Sequence, residues 1–167
     1  MDNKNKGFSL IELIIVIAII GIVAVGSVIG FGMINGRPAD QCARALKMAL
    51  TNHRLSTMGK DTAFLEIYRE SDGSIWVREY LEPYGGTPTD TRTKICGSGV
   101  DLIIKKNDGT ADDSLAAGGT AYRISFNRHN GSFDLGQNVE CLRISKASHV
   151  YNLLFYNLTG KVELKRE

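Results

Sequence analysis

Charge is almost absent from residues 7–36 of this chain. Between Gly7 and Gly36 the only charged side chain is Glu12, and no proline precedes Pro38. A helix over this stretch would measure about 45 Å, against roughly 30 Å for the hydrocarbon core of a bilayer. The stretch therefore predicts a membrane helix. Its length, and the lack of an Ala-x-Ala site after it, exclude an ordinary secretory signal peptide.

Other absences narrow the possible functions. The net charge of +2 is too small to indicate nucleic-acid binding by itself, and the chain has no nucleophile elbow and no phosphate-binding glycine motif. There are three cysteines, Cys42, Cys96 and Cys141, and no two have the spacing of zinc ligands. An odd count leaves at least one thiol free. The sequence does not choose among the possible pairings, or between one disulfide and none.

Glu12 is the anomaly of the apolar stretch. A carboxylate placed inside hydrocarbon costs roughly 3 kcal/mol on insertion scales. One interpretation is an acid that is tolerated near the membrane edge, where its carboxylate can reach the headgroups. The other interpretation is a functional carboxylate, which requires a positively charged partner.

The residues around Glu12 resemble a known processing signal. The segment Gly7-Phe8-Ser9-Leu10-Ile11-Glu12 follows a short basic leader and is similar to the prepilin signal of type IV pilins and type II secretion pseudopilins. The resemblance implies that a prepilin peptidase and methylase cuts between Gly7 and Phe8 and methylates the new amino terminus of Phe8. It also implies that Glu12 serves assembly, by pairing with the Phe8 ammonium of its own or a neighbouring subunit.

The resemblance also implies partners and a location. The partners are other pilin or pseudopilin subunits, the prepilin peptidase and a membrane assembly platform. Lys4 and Lys6 precede the apolar stretch and predict a cytoplasmic amino terminus. We therefore expect a single-pass protein of the cytoplasmic membrane with its head domain outside, which is later assembled into a pilus or pseudopilus.

The chain divides into four predicted segments. Residues 1–7 are the leader, 8–36 the transmembrane and filament-core helix, 37–59 its amphipathic continuation, and 60–167 the antiparallel β head. Pro38 predicts a kink or short break at its position, with Asp40 capping the restart. Helical spacing then predicts one face that packs on the head, formed by Cys42, Ala45, Leu46, Ala49, Leu50 and His53.

The rest of the chain has the pattern of short strands. Alternating apolar residues and the turn signals Asp72-Gly73, Asn130-Gly131 and Thr159-Gly160 predict six to eight antiparallel strands. Residues 83–94 and 107–119 predict loops. The predicted fold class is α+β, with a long amino-terminal helix packed on an antiparallel head, as in the pilin fold. The last pair of strands also resembles the GspH/FimT branch of minor pilins and pseudopilins.

DNA binding is the more serious alternative function. Lys161, Lys165 and Arg166 form a basic end that could contact DNA, which minor pilins of the FimT branch can bind during uptake. Glu163 and Glu167 are interleaved with these cations, and such a charge run usually forms a solvated strand face.

Calcium binding and catalysis find less support in the sequence. The acidic stretch 107–113 lacks the spacing of an EF-hand, which favours a solvated turn over a calcium site. His129 and His149 lie in turn-like sequences, where histidines are more often structural or solvated than catalytic. No metal and no cofactor are predicted.

The sequence as a whole predicts a structural subunit without enzymatic activity. It would belong to a type IV pilus or to a type II secretion or competence pseudopilus. The chain length, the short strands and the GspH/FimT likeness favour a minor subunit. The alternatives are a pilus-associated minor pilin that binds DNA, a surface or a secreted substrate, and a membrane-anchored enzyme. The Gly7-Phe8 junction and Glu12 argue against the enzyme.

Overall fold

One helix and two antiparallel sheets make up the described structure. The computed structural model describes residues 10–107, 112–134 and 139–167. Two compact units divide the chain, Met1–Asn35 and Gly36–Glu167. The elements in chain order are α1 (Leu10–Thr57), β1 (Lys60–Arg69), β2 (Ile75–Pro83), β3 (Thr89–Cys96), β4 (Asp101–Lys106), β5 (Asp113–Ser114), β6 (Tyr122–Ile124), β7 (Val139–Lys146), β8 (His149–Tyr156) and β9 (Lys161–Arg166). The predicted α+β class is confirmed.

The predicted break at Pro38 is wrong, because Pro38 lies inside α1. An interior proline removes one helical hydrogen bond and costs about 3 kcal/mol or more. The next residues offset that cost, since Ala39, Cys42 and Ala43 are fully buried in the core of the head. Asp40 does not begin a new helix either. Its carboxylate accepts a hydrogen bond from Arg44 Nε at 2.9 Å, one turn further along α1.

The strands form two sheets that share one hydrophobic core with the second half of α1. The four-stranded sheet has the order β3-β2-β1-β6 and the five-stranded sheet the order β5-β4-β7-β8-β9. Strands that face the core alternate, as in β1, where Leu65 and Ile67 are buried, and in β4, where Leu102 and Ile104 are buried. This period of two lets one side of each sheet exclude water while the other carries charged residues.

The helix presents to this core largely the face that its sequence predicts. Cys42, Leu46, Leu50 and His53 are all fully buried. Ala45 and Ala49 are half-buried at the side of this face, whereas Ala43, which the spacing did not predict, is fully buried. The predicted amphipathic face is therefore rotated by about one residue.

The loop predicted at residues 83–94 is partly wrong, because β3 begins at Thr89. The side chains from Thr89 to Lys94 are all exposed, so the sequence carries no apolar alternation there. The strand forms because threonine favours extended backbone and β2 supplies the hydrogen-bonding partner, with Trp76 paired with Lys94 in register. The loop predicted at 107–119 likewise contains the two-residue strand β5. The described ranges thus hold nine strands, not six to eight.

Three contacts fix the helix and the two sheets to one another. A disulfide joins Cys42 of α1 to Cys96 at the end of β3, with the two Cα atoms 5.1 Å apart, and Cys141 is a buried free thiol. The guanidinium of Arg69 donates to the carbonyl oxygens of Leu115, Gly73 and Val100 at 2.8, 3.2 and 2.8 Å. The bonds to Val100 and Leu115 link β1 to the segments that flank β4 and β5, and the bond to Gly73 closes the turn between β1 and β2.

The third contact lies at the end of the helix. Arg54 Nε donates to the carbonyl oxygen of Gly131 at 2.8 Å. Gly160 has φ +62°, and a Cβ on it would lie closer than 3.0 Å to that same carbonyl group. The predicted turns at Gly131 and Gly160 are therefore both present, and they pack directly against each other beneath α1.

Candidate assembly surfaces

The first described turns of α1 expose an apolar surface. Every side chain from Leu10 to Ile20 is exposed, with exposed fractions among its large apolar residues between 46% for Val16 and 78% for Leu10. Glu12 lies in the first turn of this helix. A contiguous apolar surface of this kind marks a site for a partner or a membrane. Gly7 and Phe8, the predicted cleavage and methylation site, lie outside the described residues.

Within residues 10–107, 112–134 and 139–167, no helix reaches the length and hydropathy that a membrane span needs.

The second half of α1 meets the four-stranded sheet through a polar pair, of which His53 is buried and Glu79 is partly exposed. His53 is fully buried, and its Nδ1 lies 2.8 Å from the Glu79 carboxylate on β2. Burial lowers the pKa of His53, and Glu79 opposes that shift in part. The neutral imidazole donates from Nδ1 to Glu79, while its Nε2 lies 3.4 Å from the Thr57 hydroxyl. His53 is thus a hydrogen-bonded packing residue, as its position on the apolar face predicts.

An open apolar groove lies beside this pair, between α1 and the edge strand β3. Its volume is about 330 Å³. Ala45, Met48 and Ala49 of α1 form one wall, and Thr91 and Thr93 of β3 form the other. Met48 is 66% exposed at the mouth of the groove. The sequence did not predict this groove, because β3 carries no apolar pattern that would reveal it.

An exposed apolar side chain lies on the turn between β8 and β9, at the edge of the five-stranded sheet. Leu158 is 93% exposed, the largest value among the large apolar side chains of the head that the structure describes. The turn is held by bonds from the amides of Thr159 and Gly160 to the Tyr156 carbonyl oxygen at 3.1 and 2.8 Å. The Asn157 carbonyl oxygen accepts a further bond from Phe133. The turn therefore presents Leu158 on a fixed backbone.

The predicted basic end on β9 is partly neutralised. Lys161 Nζ lies 3.2 Å from the Glu163 carboxylate, which lowers the pKa of Glu163. Glu167 accepts from Arg143 at 2.8 Å on the same sheet. Within the described part of the chain, Lys165 and Arg166 have no ion-pair partner. Two such cations beside two acids make a weak electrostatic site for DNA, because affinity grows with the number of phosphates neutralised.

The outer face of the four-stranded sheet carries a second charged cluster. Arg78 binds Asp90 at 2.7 Å and Glu66 at 3.3 Å, and Arg123 binds Glu66 at 2.7 Å. The Arg78 hydrogen bond lowers the pKa of Asp90. The Arg123 guanidinium also lies 3.9 Å from the centre of the Phe64 ring. This cluster orders the exposed side of the sheet, and most of its charges cancel internally.

The remaining candidate residues do not come together as a site. Asp112 pairs with Lys105, and Asp113 lies 2.7 Å from Lys106. Both described carboxylates of the predicted acidic loop are therefore paired with lysines. Residues 108–111 of that loop lie outside the described structure. His129 is exposed, and among the described residues no group of three or more metal-binding side chains occurs.

Comparison with known protein families gives a match at the amino terminus. Residues 2–28 match the family described as the prokaryotic N-terminal methylation motif. The chain carries a prepilin-type signal. The match contains Gly7, Phe8 and Glu12 and confirms the resemblance to type IV pilins and pseudopilins drawn from the sequence. No curated protein and no solved structure matches the chain. The likeness of the head to the GspH/FimT branch therefore stays a prediction.

The prepilin-type signal supports a type IV pilin or pseudopilin, which is a structural subunit rather than a catalyst. It also implies processing by a prepilin peptidase and assembly with other pilin subunits, and it suggests a membrane anchor. The antiparallel sheets of the head are compatible with this class without being specific to it.

Proposed function

We propose that this protein is a minor structural subunit of a type IV pilus or of a type II secretion or competence pseudopilus. The observation that supports this proposal is the methylation motif at residues 2–28, placed at the start of a helix whose second half is built into an α+β head. Cleavage between Gly7 and Phe8 gives a mature helix with residues 8–36 as anchor and filament core. Residues 60–167 form the head outside the cytoplasmic membrane.

Glu12 has an electrostatic role in this proposal. Removal of the leader leaves an α-ammonium on Phe8, and methylation keeps that group cationic. A carboxylate in an apolar environment is strongly favoured when a cation is beside it. Pairing of Glu12 with the Phe8 ammonium, in the same subunit or its neighbour, would stabilise the assembled state and fix the axial register of the helices.

Two measurements test the proposal on protein isolated from its native envelope. Mass analysis of the mature amino terminus is expected to find N-methylphenylalanine at Phe8. Glu12→Gln is then expected to be cleaved like the parent but to reach fibres at a yield at least ~10-fold lower, since loss of a buried charge pair costs more than 1.4 kcal/mol. Glu70→Gln, an exposed acid in the head, is the matched control and should assemble normally. An intact Met1, or fibres of Glu12→Gln at parental yield, would contradict the proposal.

DNA binding by the head is the alternative that one further measurement separates. Lys165 and Arg166 are the cations of the basic end without an acidic partner in the described structure. A head that binds DNA would show an affinity that falls steeply with salt and weakens in the variant K165Q/R166Q. With so few unpaired cations, we expect no binding of a DNA duplex by the full chain in detergent at physiological salt.

A further inference from the structure

Strand β3 leaves one side of its backbone open. It lies at the end of the four-stranded sheet and pairs with β2 alone. Among the residues that the structure describes, no hydrogen bond from any other element reaches the backbone between Thr89 and Cys96. The free N–H and C=O groups of an edge strand are a template on which another extended chain can pair.

The other sheet edges offer less room for such pairing. Strands β5 and β6 have only two and three residues, whereas β3 has eight. Strand β9 has six, but its inward side chains Val162 and Leu164 already pack on the core. The inward side chains of β3 instead line the open groove beside α1, as Thr91 and Thr93 show. Natural sheets protect their edges by short strands or by cover, and β3 has neither.

We propose that an extended segment of a partner protein pairs with the open side of β3 as a further strand of this sheet. The side chains of that segment alternate between apolar and acidic residues. Backbone hydrogen bonds supply the attraction and alternate side chains the specificity, which is the general mode of strand addition. The inference goes beyond the proposed function and does not depend on it, because it concerns the head alone.

The apolar row of the partner segment follows from the groove. Successive side chains of a strand point to opposite faces of the sheet. Every second residue of the added strand therefore lies on the same face as Thr91 and Thr93, beside the groove wall formed by α1. Met48 on that wall is 66% exposed. Apolar side chains at these positions would remove its surface from water.

The acidic row follows from Arg92 on the opposite face. Arg92 is exposed and lies directly across from Arg78 of β2 in the sheet register. Arg78 already binds Asp90 and Glu66, while Arg92 forms no salt bridge among the described residues. Like charges across neighbouring strands destabilise their pairing. A carboxylate on the added strand, placed on the free side of Arg92, would offset that repulsion.

A second copy of this chain does not supply such a strand through its own β3. The outward row of β3 consists of Asp90, which Arg78 binds, and the two cations Arg92 and Lys94. Two such rows side by side would bring an excess of positive charge together, and threonines rather than apolar side chains would enter each groove. The chemistry of the edge therefore points to a different protein.

A designed peptide tests the proposal on the full chain in detergent. The probe is a short fluorescent peptide in which valine and glutamate alternate. Fluorescence anisotropy is expected to show saturable binding of one peptide per chain. Amide hydrogen exchange should slow within residues 89–94, where the new hydrogen bonds form. The same peptide methylated on every amide nitrogen keeps its side chains but cannot donate these bonds, and it should not bind.

A charge reversal tests the acidic row. Arg92→Glu is expected to weaken binding of the glutamate peptide at least ~10-fold and to strengthen binding of a peptide with lysine in place of glutamate by a similar factor. Arg166→Glu makes the same change at an exposed position of the edge strand β9 and is the matched control. It should leave both affinities unchanged.

A second pair of variants tests the apolar row. Met48→Asp places a charge beside the valines of the bound peptide and should weaken its binding at least ~10-fold. Leu55→Asp changes a similarly exposed apolar residue of α1 that does not line the groove and should have no effect.

The outcomes separate this inference from the proposed function. Absence of saturable binding, equal binding of the methylated peptide, or an affinity that ignores Arg92→Glu overturns strand addition and leaves the subunit role intact. Protection of residues 89–94 that grows with protein concentration without peptide would assign the edge to a second copy and overturn it as well. An uncut amino terminus contradicts only the proposed function.

Discussion

The two units of this chain specify their properties in different ways. In the amino-terminal unit a short linear pattern, a glycine and phenylalanine followed by an acid in an apolar stretch, is matched by a known family. In the head, the contacts that fix the elements to one another join residues far apart in sequence, such as Arg54 with Gly131 and Cys42 with Cys96. An enzyme can recognise the first kind of pattern in an extended chain. The second kind exists only after folding.

The largest effect is expected from a substitution that changes the linear pattern alone and leaves the folded head intact. Gly7→Val is expected to abolish cleavage, because a peptidase that reads the local sequence meets a branched side chain at the cut. The stability of the head should not change, since Gly7 lies outside the compact unit Gly36–Glu167. Mass analysis of the amino terminus and urea unfolding, followed by the fluorescence of Trp76, measure the two effects. Normal cleavage of Gly7→Val would show that the pattern is not what the enzyme reads.

The converse experiment leaves the linear pattern intact and removes the disulfide of the head. Replacing Cys42 and Cys96 together by serine opens a loop that separates them by 54 residues, and the chain-entropy model gives a loss of about 4 kcal/mol in the free energy of unfolding. Urea denaturation of the full chain in detergent measures it, and cleavage after Gly7 should continue. Cys141→Ala, which removes the buried free thiol, is the control and should cost about 1 kcal/mol. Equal losses in both variants would contradict the structural role of the disulfide.

A smaller difference in stability is expected between alanine substitutions at two glycines that have the same backbone conformation. Gly160 has φ +62° and Gly85 has φ +65°, but a Cβ on Gly85 would meet nothing within 4 Å. Gly85→Ala should therefore cost only the left-handed strain of about 1–2 kcal/mol. Gly160→Ala must also displace the Gly131 carbonyl group that Arg54 binds, and we expect about 3 kcal/mol or more. Similar losses in urea unfolding would show that the two turns separate easily.

The smallest expected effect is a pH dependence that belongs to the head alone. Burial lowers the pKa of His53 below its ordinary value, so below about pH 6.5 the unfolded chain binds a proton that the folded chain resists. Stability should therefore fall as the pH drops from 7 towards 5, by about 1 kcal/mol. His53→Gln should flatten this dependence, whereas exposed His129→Gln should leave it unchanged. Neither substitution should change the extent of cleavage after Gly7.

The sequence was informative where a side chain and its neighbours in the chain decide the structure. Local rules of spacing and backbone conformation predicted three kinds of feature. These are the prepilin-type signal, the buried positions Leu46, Leu50 and His53, and the turns at Gly131 and Gly160. Pro38 also obeys a local rule, yet the helix continues through it, because burial of the following turn outweighs one lost hydrogen bond. Tertiary packing overrides local preference there.

The features that the sequence did not predict depend on pairing. Strand β3 has six exposed residues in succession and forms because β2 lies beside it. The groove exists because β3 stands apart from α1, and the exposure of Leu158 can be judged only from the folded chain. The pairing of Cys42 with Cys96 required the same knowledge, since three cysteines permit several pairings. Each of these depends on distances between elements, which periodicity does not contain.

The disulfide has a mechanical consequence for a subunit held in a fibre. A tensile load on a pilus would enter each head through its helix and would tend to shear that helix away from the strands. Cys42 lies where the helix enters the core, and its bond to Cys96 passes the load directly to the outermost strand of the sheet. The noncovalent contacts further along the helix are thereby shielded from the pull, so a head of modest stability can withstand forces that would otherwise unravel it.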